Sequence, residues 1–101
     1  CLFKFFIFLL KYLNNSEIKY INHTSTAAGF WCVKEAVSKA LQVGISKELS
    51  FHDIIISKQK NGAPLCTLTP SKIEYFKIKS ISISITHDAG LAIAVANIET
   101  F

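Results

Sequence analysis

Glu35 and Lys39 stand four residues apart in the stretch Trp31-Cys32-Val33-Lys34-Glu35-Ala36-Val37-Ser38-Lys39-Ala40-Leu41, whose other positions read as a buried helix. Residues at i and i+4 share one helix face, with Cβ atoms about 5–6 Å apart. Phe30, Val33, Val37, Ala40 and Leu41 fall on the opposite, apolar face. On such a surface a carboxylate can hold a metal while an ammonium on the same side reaches a phosphate. The same spacing also describes an ordinary surface ion pair, a common helix stabiliser. The surrounding sequence decides between the two.

The elements that must position this pair follow from hydrophobic period and turn chemistry. Residues 2–13 are strongly apolar and read as a helix, closed by Asn14-Asn15, after which Ser16 caps a short turn through Glu17, Ile18 and Tyr20. Residues 22–29 are small and polar and read as a loop. Thr24, Ser25 or Thr26 then caps a helix from about Ala27 to Gln42, which Gly44 ends. From Ser50 the period changes. Phe51 to Ser57 is a β-branched run and Pro64 to Thr69 a second apolar stretch, with Asn61-Gly62, a strong hairpin signal, between them. Thr69-Pro70-Ser71 starts a helix with proline at its first position, reaching about Ile78. Ile81, Ile83 and Ile85 alternate with serines and Thr86 as a half-buried strand; His87-Asp88-Ala89-Gly90 reads as a turn and Leu91 to Ile98 as a last strand. This order predicts a single α+β domain over residues 1–101, with helices packed on a small antiparallel sheet.

Composition narrows the function. A chain of 101 residues makes one domain at most, and one this small gains from oligomerising. The net charge of +4 suits an acidic partner or a phosphate ligand. All eleven basic residues are lysines spread along the chain without an aromatic-rich stripe, which argues against nucleic acid. The three cysteines lack framework or zinc spacing, so small buried thiols in a reduced, cytoplasmic chain are expected. The apolar N-terminal run is shorter than the roughly 20 residues a membrane-spanning helix needs. A lipid-modified Cys1 on a membrane-associated protein is the competing reading of that run.

Five ordered segments carry a resemblance. Trp-Cys-x-Lys-Glu-Ala-x-x-Lys at 31–39 resembles the second signature of the phosphopantetheinyl transferases, and the rest is similar to their short bacterial type, the holo-[acyl-carrier-protein] synthases. Gln42-Val43-Gly44-Ile45 resembles the Gly-rich turn after the motif helix. Leu49-Ser50-Phe51-His52-Asp53-Ile54 resembles the strand entry and Asn61-Gly62-Ala63-Pro64 the hairpin. Ser82-Ile83-Ser84-Ile85-Thr86-His87-Asp88 resembles the Ser-x-Ser-His segment, with Thr86 for the usual serine. The likeness runs from about Leu9 to Ile98.

The resemblance implies a 4′-phosphopantetheinyl transferase-like fold. It also implies transfer of 4′-phosphopantetheine from coenzyme A to a serine of apo acyl carrier protein in fatty acid biosynthesis, releasing adenosine 3′,5′-bisphosphate. Phosphoryl transfer depends mostly on positioning and charge neutralisation, usually with magnesium held through one or two carboxylates. By resemblance, Glu35 is the magnesium ligand, Lys39 binds the phosphates and neutralises the leaving group, and His87 contacts coenzyme A. Lys34 and the backbone at Gly44 are weaker contacts. The family's active site lies between subunits of a homotrimer, and Lys4, Lys11 and Lys19 are candidates for a basic face toward the acidic carrier. The family also has an earlier strand reading approximately Gly-Ile-Asp, whose Asp is the other metal ligand. No Asp precedes Asp53 here and no Gly precedes Gly29, so the chain reads as lacking that strand and part of the first helix. A non-catalytic homologue that binds coenzyme A or carrier protein is therefore the alternative function. Asp53 itself reads as a local turn or capping residue, and Cys32 as an inert buried thiol.

Overall fold

The computed structural model describes residues 11–21, 24–88 and 91–101. A short helix, α1 (Asn15–Ile18), precedes the long helix α2 (Thr24–Ala40). A 3₁₀ turn at Phe51–Asp53 leads into strand β1 (Ile54–Lys58) and its antiparallel partner β2 (Pro64–Leu68). Helix α3 (Pro70–Phe76) connects to β3 (Ile78–Asp88), which pairs antiparallel with β4 (Leu91–Thr100). The expected α+β fold is present, with its strands arranged as two separate two-stranded ribbons. The β3–β4 ribbon lies under α2 and β2 lies against β3.

The core forms where the apolar faces of these elements meet. Ala27, Phe30, Val33 and Val37 of α2 are buried against Ile54 and Ile56 of β1, with Leu13, Leu49, Leu68 and Ile78 closing the cluster. At about 100° per residue, the four α2 residues make one helical stripe. Period two along β3 leaves Ile81, Ile83 and Ile85 half-buried and the intervening serines and Thr86 exposed, as the sequence pattern requires.

Local chemistry sets several boundaries. Asn14, not Ser16, caps α1: its backbone N–H donates to the Glu17 carboxylate at 2.6 Å, a bond of the capping-box kind. Helix α2 begins at Thr24 and ends at Ala40, which is exposed and so does not belong to the apolar stripe. The chain leaves α2 through Gln42 at φ 64° before reaching Gly44 at φ 61°. Gln42 thus takes the first left-handed step that the glycine was expected to take, while both Val43 and Gly44 donate to the Ser38 carbonyl. The β-branched run expected from Phe51 starts instead as a 3₁₀ turn. Asp53 caps that turn by accepting from the Ser50 N–H at 3.0 Å, as its expected local role requires. Gly62, at φ 87°, turns the β1–β2 hairpin. Helix α3 stops at Phe76 because Lys77 adopts φ 55°, so Ile78 opens a strand. His87 and Asp88 continue β3 opposite Ala92 and Leu91, which replaces the expected four-residue turn. The helix expected over residues 2–13 lies outside the described residues, apart from a turn at its end.

Both described cysteines are half-buried free thiols. Burial, reinforced by the nearby Glu17 carboxylate and opposed by Lys34, pushes the Cys66 thiol up to about 12 from 9.0. Keeping that thiol protonated stabilises the native state fully below pH 9.0, and this contribution is lost as pH rises toward about 12. Near pH 8, iodoacetamide should therefore modify Cys66 far more slowly in the native chain than in urea, because the thiolate is the nucleophile. Peptide mapping reads this directly; equal rates in the two states would show the thiol to be unprotected.

Candidate active site

Helix α2 presents two chemically different sides. Lys34 points into the interior, fully buried, with its Nζ 2.8 Å from a Glu17 carboxylate oxygen that is also fully buried. The same ammonium donates to the Tyr12 carbonyl at 3.0 Å and the Phe51 carbonyl at 2.8 Å, so all three of its protons are engaged. Glu17 accepts in addition from the Ile56 N–H at 2.7 Å and the Asn14 N–H at 2.6 Å. Burial pulls the Lys34 pKa below the ordinary lysine range, and the hydrogen bond and charge of Glu17 oppose that pull. The phosphate contact expected of Lys34 is corrected by this arrangement: its donors face the core and are saturated.

Glu35 and Lys39 stand on the other side. Glu35 is half-buried and Lys39 exposed, one turn apart on the surface of α2. Among the described residues the sole ion pair is Lys34–Glu17, so Glu35 and Lys39 do not form the ordinary helix-surface pair that their spacing allows. Cys32 lies one turn before Glu35, with Sγ 3.6 Å from the Ala92 carbonyl; burial first, and then the Glu35 charge, raise its thiol pKa. That shift favours the inert thiol expected from the sequence. Gly44 follows the end of the helix, its N–H 3.1 Å from the Ser38 carbonyl, and the space where a side chain would project is open. His87 lies on β3, and the contact expected of it falls on a side chain outside the described residues.

Two features went unread in the sequence. One is Glu17, whose Asn14-x-x-Glu17 spacing signals a cap but gives no hint of a partner at residue 34. The other is a groove of about 180 Å³ lined by Thr26 and Phe30 of α2, Lys58, Gly62 and Pro64 of the hairpin, and Ile85 of β3. Neither Glu35 nor Lys39 lines it. It is smaller than the about 300–1,000 Å³ typical of ligand pockets, so on one chain it is a partial recess.

The chemistry of Glu35 fits magnesium in a limited way. A carboxylate oxygen is the hard donor this cation prefers, and magnesium sites commonly use one or two carboxylates with water and substrate phosphate. No cluster of three or more His, Cys, Asp or Glu occurs among the described residues, so a site built from protein ligands alone is not present there. No helix among the described residues is long and apolar enough to cross a membrane.

The signature of the 4′-phosphopantetheinyl transferase superfamily matches residues 4–96. The chain belongs to this superfamily. Among its relatives there, the holo-[acyl-carrier-protein] synthase of Campylobacter lari is 54% identical over 93 residues, which is 92% of this chain and 80% of that protein. The crystal structure of the Helicobacter pylori holo-[acyl-carrier-protein] synthase in complex with coenzyme A is 55% identical, with a TM-score of 0.88 over 92% of this chain and 82% of that one. A Bacillus anthracis holo-(acyl-carrier-protein) synthase in complex with CoA (3′,5′-ADP) is 26% identical with a TM-score of 0.76 over 97% and 89% of the two chains.

Removing one member of the buried pair strands the other charge. Lys34→Met should therefore lower unfolding free energy by about 3–5 kcal/mol. A urea titration measures this, and a change under about 1 kcal/mol, the scale of an exposed pair, would show that the interaction is not buried in solution.

Proposed function

We propose that this chain transfers 4′-phosphopantetheine from coenzyme A to a serine hydroxyl of an apo acyl carrier protein, with Glu35 and Lys39 at the reacting pyrophosphate. The observation that carries the assignment is the two-sidedness of α2: Lys34 is saturated inside the fold, whereas Glu35 and Lys39 face outward without pairing to each other. Charges left unpaired on one face are available to a charged ligand. The identity to the Helicobacter pylori enzyme, whose structure contains coenzyme A, supports the substrate.

In the reaction the serine oxygen attacks the phosphorus that bears the pantetheine arm. A new P–O bond forms, the bond to the bridging oxygen breaks, and adenosine 3′,5′-bisphosphate leaves with that oxygen while the serine proton is released. Such a transition state is stabilised mainly by charge placement. Lys39 binds the phosphates and neutralises charge building on the leaving oxygen. Glu35 supplies a hard oxygen ligand for magnesium, which when bound neutralises the pyrophosphate. The Gly44 backbone and His87 are further proposed contacts for coenzyme A.

A homotrimer with sites between subunits is part of the proposal. The outward face of β4 supports it: Ile93 is 56% and Val95 61% exposed, on a ribbon whose other side packs beneath α2. Large apolar side chains exposed side by side mark a contact surface. Lys11 and Lys19 are exposed and suit an acidic carrier, and reduced thiols suit a cytoplasmic location.

Glu35→Gln should abolish magnesium-dependent transfer, read by mass spectrometry of the carrier protein, while shifting stability by no more than about 0.5 kcal/mol, as for other surface changes. Retained transfer would remove Glu35 from the metal site. Lys39→Ala should reduce kcat by about 10²–10³, the scale seen when one transition-state hydrogen-bond donor is removed. Analytical ultracentrifugation should give a mass three times that of the chain, and Val95→Glu should shift it toward the monomer; a parent that sediments as a monomer would defeat the trimer.

A further inference from the structure

The stretch Trp31 to Lys39 performs two tasks on two sides of one helix. Lys34 reaches three separate segments: the turn at Tyr12, the helix α1 through Glu17, and the 3₁₀ turn at Phe51. Glu17 extends the connection to β1 through the Ile56 N–H. The residues whose carbonyls receive Lys34 also touch through their rings, Tyr12 and Phe51 packing with centroids 4.5 Å apart at a tilt of 56°. Trp31, one turn before Lys34, stacks on that same Phe51 ring at 6.3 Å and an interplanar angle of 29°. Trp31 and Lys34 thus grip one site on the scaffold from one side of the helix.

We propose that Lys34, Glu17 and Trp31 are positioning residues for the transfer reaction, holding α2 at the one rotation that presents Glu35 and Lys39 to the substrate pyrophosphate. The inference rests on the assignment of those two residues to the reacting site. At about 100° per residue, Glu35 and Lys39 stand about 100° and 140° around the helix from Lys34. Side-chain tips lie about 5–6 Å from a helix axis, so a rotation of about 10° moves them by about 1 Å. A misplacement of about 1 Å can lower a rate by about 10²-fold.

Apolar packing along Phe30, Val33 and Val37 holds the helix against the core through a non-directional force together with steric fit. The ion pair is directional, with five hydrogen-bonded contacts to four parts of the chain. Hydrophobic replacements of buried ion pairs are often as stable as the pairs themselves, so stability alone does not account for a charge pair here. The connection to Ile56 also braces α2 against β1, the strand that carries Lys58 to the groove between helix and hairpin.

Glu17→Asp tests the role because it keeps the charge and shortens the arm by one methylene. Kinetics are measured with coenzyme A and apo carrier protein at a temperature where circular dichroism shows the variant fully folded. The expected result is a kcat lowered about tenfold or more with both KM values within about twofold, the signature of lost alignment in the transition state. Parental kcat in the folded variant, whatever its melting temperature, overturns the proposal and leaves the pair a purely stabilising role. Amide hydrogen exchange on the unaltered chain gives a second readout that needs neither variant nor turnover. The Ile56 amide and those of α2 from Val33 to Ser38 should exchange slowly and open as one unit; opening of α2 with Ile56 still protected overturns the clamp. Glu35→Gln in the same kinetic assay separates the two readings. If it retains parental transfer, the site assignment fails; if it is inactive while Glu17→Asp keeps its kcat, the positioning inference alone fails.

Discussion

Burying a lysine and a glutamate together imposes the strictest constraint in this molecule. Taking an ammonium and a carboxylate out of water costs several kcal/mol per ion even after relaxation, and only close contact with full hydrogen bonding offsets it. Lys34 and Glu17 meet that requirement through their 2.8 Å contact, two carbonyls on the lysine side and two amides on the glutamate side. Each added partner belongs to a different segment. The turn at Tyr12, helix α1, the 3₁₀ turn and β1 must therefore all be in place before the charges are satisfied. The pair ties the correctness of the fold to the placement of α2.

From that constraint the division of labour on α2 follows. A helix turns about 100° per residue, so Val33 and Lys34 together fill the inward arc and the next residue is turned out of it. With Lys34 committed to the interior, Glu35 is carried toward the surface, and Lys39 joins it one turn later. Four positions of one short signature are thereby sorted: Trp31 and Lys34 grip the scaffold, and Glu35 and Lys39 face outward, where we propose that they meet the ligand. The packing of Ala27, Phe30, Val33 and Val37 supplies adhesion, and the ion pair with the Trp31–Phe51 stack supplies orientation.

The two ribbons show a related economy. Ile54 and Ile56 complete the core under α2, while the hairpin beyond Lys58 extends to form one wall of the groove. In the longer β3–β4 ribbon, alternation leaves Ile81, Ile83 and Ile85 half-buried on one face and Ile93 and Val95 exposed on the other. A two-stranded ribbon has little stability by itself, so its position depends on α2 above it. Its exposed apolar face is the surface that the proposed trimer would bury.

Elements governed by short-range physics were legible in the chain. The 3.6-residue period marked α2, the two-residue period marked β3, Asn61-Gly62 marked the hairpin, and Thr69-Pro70 marked the start of α3. Boundaries slipped where a residue took a conformation its type disfavours, as at Gln42 and Lys77, both left-handed without being glycine. Such conformations depend on what the flanking chain must reach. For the site, spacing alone placed Glu35 and Lys39 on a common face, because that is a property of any helix. The same spacing turned Glu35 away from the apolar stripe but left Lys34 at the edge of that stripe, without telling that its ammonium is buried. That answer needed Glu17, 17 positions earlier, and Phe51, 17 later, brought together around one ammonium. The sequence by itself determined the helix and the family its signature belongs to. Only the tertiary structure decided which charge was buried, because the desolvation of an ion is set by groups that are distant in the chain and adjacent only in the fold.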